Sequence, residues 1–270
     1  MVSDSYFSGK KIMSNNLKHT APSFPLITVI SLVLLLATTL LSGFDKSLFL
    51  FLNESFSALP ASFWEFTTTL SDPWVAPLLT FVIFFRQPNF VRALLICSLI
   101  SLVANYSLKH GFDFPRPNHV LAEGEFNLIG PDIQSPSFPS GHTLVIFVMM
   151  GLVSFWNNVK LTSGLLFGMA ALIALSRIAL GVHWPSDVIF GALVGWLTAW
   201  LAVVLNNRLE AEINTNVKMG LYGVVLLCAI WSIINKTPYS TGQWLNTAVA
   251  LFAVAYSLRT LTELMHRQKG

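Results

Sequence analysis

The chain has 270 residues, of which 54% are hydrophobic and 11% charged, and it carries a net charge of +3. That composition excludes a soluble globular domain, and the 16 Lys and Arg are scattered rather than gathered into the stripe or run that nucleic acid would need. Cys97 and Cys228 each sit in an apolar stretch without a CxxC or His-rich neighbourhood, so they read as small buried hydrophobes rather than a disulfide or a metal pair.

In chain order, residues 1–24 read as a short polar cytoplasmic tail with Lys10, Lys11 and Lys18. A bilayer-length window then finds apolar runs at 25–41, 74–85 (with 63–85 as its wider limit), 90–108, 143–156, 161–180, 188–205, 219–234 and 244–258. The first lacks a small-x-small cleavage site, and is expected to be a retained span rather than a signal peptide. Between the first two, KSLFLFLNESFSALPASFWEF mixes apolar and acidic residues at helical spacing, which suits a helix lying along the interface. The expected fold is all-α: a polytopic membrane bundle of eight spans. The tryptophans fall mostly near span ends and read as interface belts.

With eight spans, both termini lie on one side, together with Lys10, Lys11, Lys18, Arg86, Arg92, Lys160, Arg208, Lys218, Arg259, Arg267 and Lys269, which is 11 of the 16 basic residues. The other side holds Lys46, Lys109, Arg116, Arg177 and Lys236, and three of these belong to the polar constellation below. The positive-inside rule therefore expects both termini in the cytoplasm and the loops 109–142 and 177–187 outside, in the periplasm if this is a bacterial inner-membrane protein.

Those two loops hold almost all the chemistry. The first opens KHGFDFPRP and closes PSFPSGHT; the second reads SRIALGVHWPSD. Emerging on one side, they offer three fixed cations (Lys109, Arg116, Arg177), two histidines (His142, His183), Asp187, and a helix start at Ser140 and Gly141. Backbone N–H groups at a helix N-terminus, a serine hydroxyl and forked guanidiniums are groups that cradle a phosphate. His142, His183 and Asp187 are also metal-ligand types. Three adjacent cations would repel a divalent ion, so no metal and no cofactor is expected. Singly, Lys109 and Arg177 would read as snorkelling anchors and the remaining His110, His119 and Asp113 as loop residues; the joint pattern is what points to chemistry.

These segments resemble the three signature motifs of the type 2 phosphatidic acid phosphatase superfamily, KxxxxxxRP, PSGH and SRxxxxxHxxxD, without a departure and in the family's order. The resemblance implies a six-span phosphatase core over 25–206, with two additional C-terminal spans over 207–270 outside the family's usual pattern. The resemblance implies that His183 attacks phosphorus, Asp187 orients it, and His142 protonates the leaving oxygen. It implies further that Lys109, Arg116, Ser140, Gly141 and Arg177 bind the phosphoryl oxygens. The implied activity is metal-independent hydrolysis of a membrane lipid phosphate or diphosphate, such as undecaprenyl diphosphate, phosphatidate or phosphatidylglycerophosphate, with the lipid tails left in the bilayer. Alternatives within the superfamily are a lipid phosphotransferase or a lipid A phosphatase. A vanadate-dependent haloperoxidase has no need of eight spans, and a pure transporter no need of a paired His183 and Asp187. The motifs carry no information on oligomeric state.

Overall fold

The structure, a computed structural model, describes residues 22–157, 159–209 and 212–269. Most of the tail expected over 1–24, with Lys10, Lys11 and Lys18, therefore lies outside the described residues. Among those described, regular structure is entirely helical: α1 (Leu26–Leu41), α2 (Asp45–Phe56), α3 (Ala61–Thr69), α4 (Val75–Phe84), α5 (Pro88–Gly111), α6 (Pro117–Val120), α7 (Gly141–Asn157), α8 (Lys160–Ala179), α9 (Pro185–Arg208), α10 (Thr215–Ile234) and α11 (Gln243–Lys269), with one 3-10 turn at Ser240–Gly242.

Each of the eight apolar runs forms a helix, and the interface stretch forms α2 and α3, divided at Pro60. Length separates them, however. The helices α5, α8, α9, α10 and α11 are long and apolar enough to cross a membrane. The 16-residue α1 qualifies only if joined to α2, across a bend of 104° that turns α2 nearly perpendicular to it. With 10 and 17 residues, α4 and α7 fall short of a perpendicular crossing. Counted by length and composition, the eight expected spans become five or six. The reason is visible in α7, which is buried on most sides and need not match the bilayer with a lipid-facing surface.

Local sequence sets several helix starts. Pro88, Pro117 and Pro185 occupy first-turn positions, where the missing N–H costs nothing, and Asn214 caps α10 by accepting the Val217 N–H at 2.9 Å.

Packing centres on α7 and α9. Gly191 and Gly195 bring the two backbones together: a Cβ at Gly191 would lie 2.8 Å from the Ser140 carbonyl oxygen, and one at Gly195 2.4 Å from that of Leu144. Small residues are how membrane helices gain close van der Waals contact when lipid offers no hydrophobic drive. Around this pair one cluster joins α4, α5, α7, α9, α10 and α11, including Phe81, Phe90, Leu152 and Tyr222. A second joins α1, α2, α7, α8 and α9, including Phe49, Phe147, Ile178 and Trp196. Arg92, near the start of α5, donates to the Asn206 side chain at 2.8 Å near the end of α9, so these helices run antiparallel. The C-terminal pair is tied by a buried bond from Asn246 Nδ2 to the Ser232 carbonyl at 2.9 Å.

Candidate active site

The ends of α5 and α8 and the starts of α7 and α9 meet at one end of the bundle. Lys109 lies in the last turn of α5, Arg116 just before α6, Ser140 before α7, Gly141 and His142 at its start, and Arg177 in the last turn of α8. His183 lies in the loop before α9, and Asp187 in the first turn of that helix. A backbone bond from Ser140 N–H to the Asp187 carbonyl at 3.1 Å joins the two helix starts directly.

His183 is buried, and both of its ring nitrogens are engaged. Its Nδ1 lies 3.1 Å from Asp187 Oδ2, and its Nε2 lies 3.1 Å from Arg116 Nη1. A guanidinium only donates, so Nε2 must accept, and the ring proton must sit on Nδ1, facing the carboxylate. The neutral tautomer with its Nε2 lone pair turned toward the cations follows from these two contacts. Burial is the largest cause holding the His183 pKa well below the ordinary 6.5; the charges of Arg116, Arg177 and Lys109 add to it.

Asp187 Oδ2 collects three donors: His183 Nδ1, the Trp184 backbone N–H at 2.9 Å, and the Ser137 hydroxyl. The Trp184 contact is the carboxylate half of a capping box, which fixes Asp187 to the start of its own helix.

Arg116 is fully committed. Its Nε donates to the Ser135 carbonyl at 2.7 Å, Nη1 to the Val182 carbonyl at 2.7 Å and to His183, and Nη2 to Ser135 Oγ at 3.1 Å and the Pro136 carbonyl at 3.3 Å. All five guanidinium protons are used, pinning Ser135 and Pro136 against the His183 loop. Burial, then the neighbouring Arg177 charge, lowers its pKa to about 10, which leaves it charged at neutral pH. Lys109 donates to the Pro136 carbonyl at 2.5 Å, and the buried Arg177 donates from Nη1 to Thr68 Oγ1 at 2.6 Å. The half-buried His142 lies within electrostatic reach of these three cations, and its ring makes no hydrogen bond to another described residue. The Ser140 hydroxyl oxygen accepts from Thr143 Oγ1 at 3.0 Å and from its N–H at 3.4 Å, capping α7 and leaving the hydroxyl proton to donate.

All eight residues singled out in the sequence thus share one end of the bundle. His110 and His119 stay outside: the first bonds the Tyr106 carbonyl at 2.9 Å, the second pairs with Asp132 at 3.4 Å. Sequence reasoning missed the supporting residues. Ser137 sits within PSFPSGHT but outside the PSGH signature. Thr68 and Asp72 reach Arg177 from α3 and the turn after it, and burial raises the Asp72 pKa despite the Trp74 and Val75 N–H groups it accepts. Asp45 clamps the start of α9 through Ser186 N–H and Oγ at 2.9 and 2.6 Å. Asn53 Nδ2 bonds the Ile178 and Asn127 carbonyls, both at 3.0 Å, tying α2 to the end of α8. Nothing local marks these five; only their polarity in an apolar setting is a signal.

Comparison with known proteins places this geometry. The PAP2 superfamily profile matches residues 90–210, the segment from α5 through α9. YbjG of Escherichia coli K12, named as a candidate undecaprenyl-diphosphatase, is 33% identical over 136 residues, covering 48% of this chain and 66% of its own length. An undecaprenyl-diphosphatase of Sulfolobus acidocaldarius is 28% identical over 178 residues, covering 61% of this chain and 80% of its own. The crystal structure of Aquifex aeolicus LpxE superposes with a TM-score of 0.51 at 30% identity, covering 58% of this chain and 93% of that one. With the profile lying over the helices that gather the cations and both histidines, and the Aquifex protein matched over nearly its whole length, this multi-pass membrane chain belongs to the PAP2 superfamily, whose phosphatases are hydrolases.

Proposed function

We propose that the chain hydrolyses a lipid phosphate or diphosphate through a phosphohistidine on His183, with undecaprenyl diphosphate the first substrate to test, given the names of two relatives. The observation that carries this reading is the His183 ring, with Nδ1–H on Asp187 and the Nε2 lone pair among fixed cations. A phosphoryl group entering the ring of Lys109, Arg116 and Arg177 draws Arg116 Nη1 from Nε2 to its own oxygens and so frees the nucleophile. Nε2 then attacks phosphorus, the bond to the leaving oxygen breaks, and His142, protonated once the charge of the bound phosphoryl group offsets the cations around it, gives that oxygen its proton. In the second half His142 takes a proton from water, the water oxygen attacks phosphorus, and the N–P bond breaks to release inorganic phosphate and neutral His183. The cations stabilise the charge on the equatorial oxygens throughout, aided by the hydroxyl proton of Ser140 and the N–H groups at Gly141.

The site lies at the helix ends, where a headgroup would meet it while its tails remain in the bilayer. By the basic-residue bias, this end faces the periplasm of a bacterial inner membrane and both termini face the cytoplasm. The test is phosphate release by the purified protein from a panel of lipid phosphates and diphosphates in detergent, with His183→Ala as the blank. Release by wild type alone, with acid-labile phosphate trapped on the protein in a single turnover, is the expected result. Equal release by His183→Ala would overturn it.

A further inference from the structure

The C-terminal hairpin of α10 and α11 lies beyond the segment that the family profile matches. Its turn, 235–242, is nevertheless built into the site end of the bundle. Thr241 donates to the Glu65 carboxylate of α3, and Gly242 rests so closely on Thr69 that a Cβ there would lie 2.0 Å from Thr69 Oγ1. Between these contacts and the end of α10, Tyr239 is 3% exposed and packs with Trp64, Ala179, Leu180 and Val182. Its ring lies on Gly130, which has a φ of 90° and where a Cβ would meet the Tyr239 Cε1 at 2.5 Å. A left-handed glycine therefore makes room for this one side chain.

The phenol end points to the chemistry. Tyr239 is within electrostatic reach of both Arg177 and Arg116. Its hydroxyl is buried within hydrogen-bonding reach of the Arg177 side chain yet makes no bond of good geometry, and the Nε–H of Arg177, whose Nη1 is taken by Thr68, is open as well. Two buried polar groups left open side by side, one donor and one acceptor, call for an explanation, since each forfeits its hydration. Thr68 sits next to Thr69 on α3, the helix against which the hairpin turn docks, so one local unit presents both partners to the guanidinium.

We propose that Tyr239 is a positioning residue for the phosphate site: its hydroxyl takes up the Arg177 Nε–H when the guanidinium turns onto the phosphoryl oxygens. The C-terminal hairpin is thereby part of the phosphate-binding unit rather than an appended pair of helices. This rests on the phosphatase reading above.

The test is Tyr239→Phe, which keeps the ring on Gly130 and removes only the hydroxyl. The full-length protein is assayed in detergent for phosphate release from a short-chain phosphatidate and for inhibition by inorganic vanadate, with thermal melting of the same samples. The expected result is a fall in kcat/KM and a matching rise in the vanadate inhibition constant, each roughly 10- to 100-fold, the cost of a lost bond to a charged group. The melting midpoint stays close to that of wild type, because the buried hydroxyl has no well-formed bond to lose in the empty enzyme. Combined with Arg177→Lys, the tyrosine change should add little, since both act on one interaction. Wild-type kcat/KM and vanadate inhibition in Tyr239→Phe would overturn the proposal, as would effects that multiply in the double variant. A wild-type protein that neither releases phosphate nor responds to vanadate would instead strike down the phosphatase reading, and this proposal with it.

Discussion

Replacing Asp187 by Asn separates the geometry of the His183–Asp187 pair from its charge. Three donors converge on the same oxygen, Oδ2: His183 Nδ1, the Trp184 N–H and the Ser137 hydroxyl. Only an oxygen satisfies them, so the asparagine carbonyl is held in that position, and the Nδ1–H tautomer, with Nε2 free to attack, survives. What disappears is the negative charge beside a ring that becomes cationic as the N–P bond forms. Over the 3.1 Å separation and at an effective dielectric of about 20, a full pair of charges is worth about 5 kcal/mol, and half that if the ring is half-charged in the transition state. At about 1.4 kcal/mol per decade, phosphoenzyme formation should slow by roughly 10² to 10⁴. Quench-flow trapping of phosphohistidine in detergent, comparing wild type, Asp187→Asn and His183→Ala, measures this step directly. A loss below tenfold would show that the carboxylate charge is not felt at the ring. A loss as complete as that of His183→Ala would show that the amide has flipped and inverted the tautomer, contrary to the three-donor argument.

The pH profile follows from the same ring. Neutral His183 is the active form, and its pKa is held well below 6.5, so protonation removes the nucleophile only well under that pH. In Asp187→Asn, where the ring has no titrating carboxylate beside it, kcat/KM corrected for substrate ionisation should not fall between neutral pH and 6.5; an acid limb with its midpoint above that value contradicts the assignment. His142→Ala should cost roughly 10² to 10⁴ on a phosphate monoester, whose alkoxide needs a proton. It should cost distinctly less on a prenyl diphosphate, whose leaving phosphate has a second pKa of about 6. Equal losses on matched substrates remove His142 from the acid role. For topology, a reporter fused after Gly270 should work only where cytoplasmic reporters do, and one near Gly124 only on the opposite side; finding both on one side refutes the orientation.

The sequence made the reacting groups legible because they lie in short linear patterns. Lys109 and Arg116 share one loop, His183 and Asp187 are four residues apart, and Ser140 to His142 open a helix. The supporting contacts were not legible. Thr68 reaches Arg177 across 109 positions and Ser137 reaches Asp187 across 50, and no periodicity connects such partners. Composition identified every main helix but not its length, since burial against protein replaces burial in lipid for α7, and hydropathy alone does not distinguish the two. The docking of the hairpin turn on α3 was equally out of reach, because Gly242 and Gly130 matter through what they lack.

The seam at Gly191 and Gly195 has a consequence for how the protein tolerates change. It holds α9, which begins just after His183, against α7, which carries His142, by contact of backbone with backbone. The spacing of nucleophile and acid is therefore gauged by this backbone seam rather than by the loops around the substrate. Sequence drift in the long outer loop can reshape what enters without disturbing the reaction, whereas a single added methyl in the seam would put the two histidines out of register.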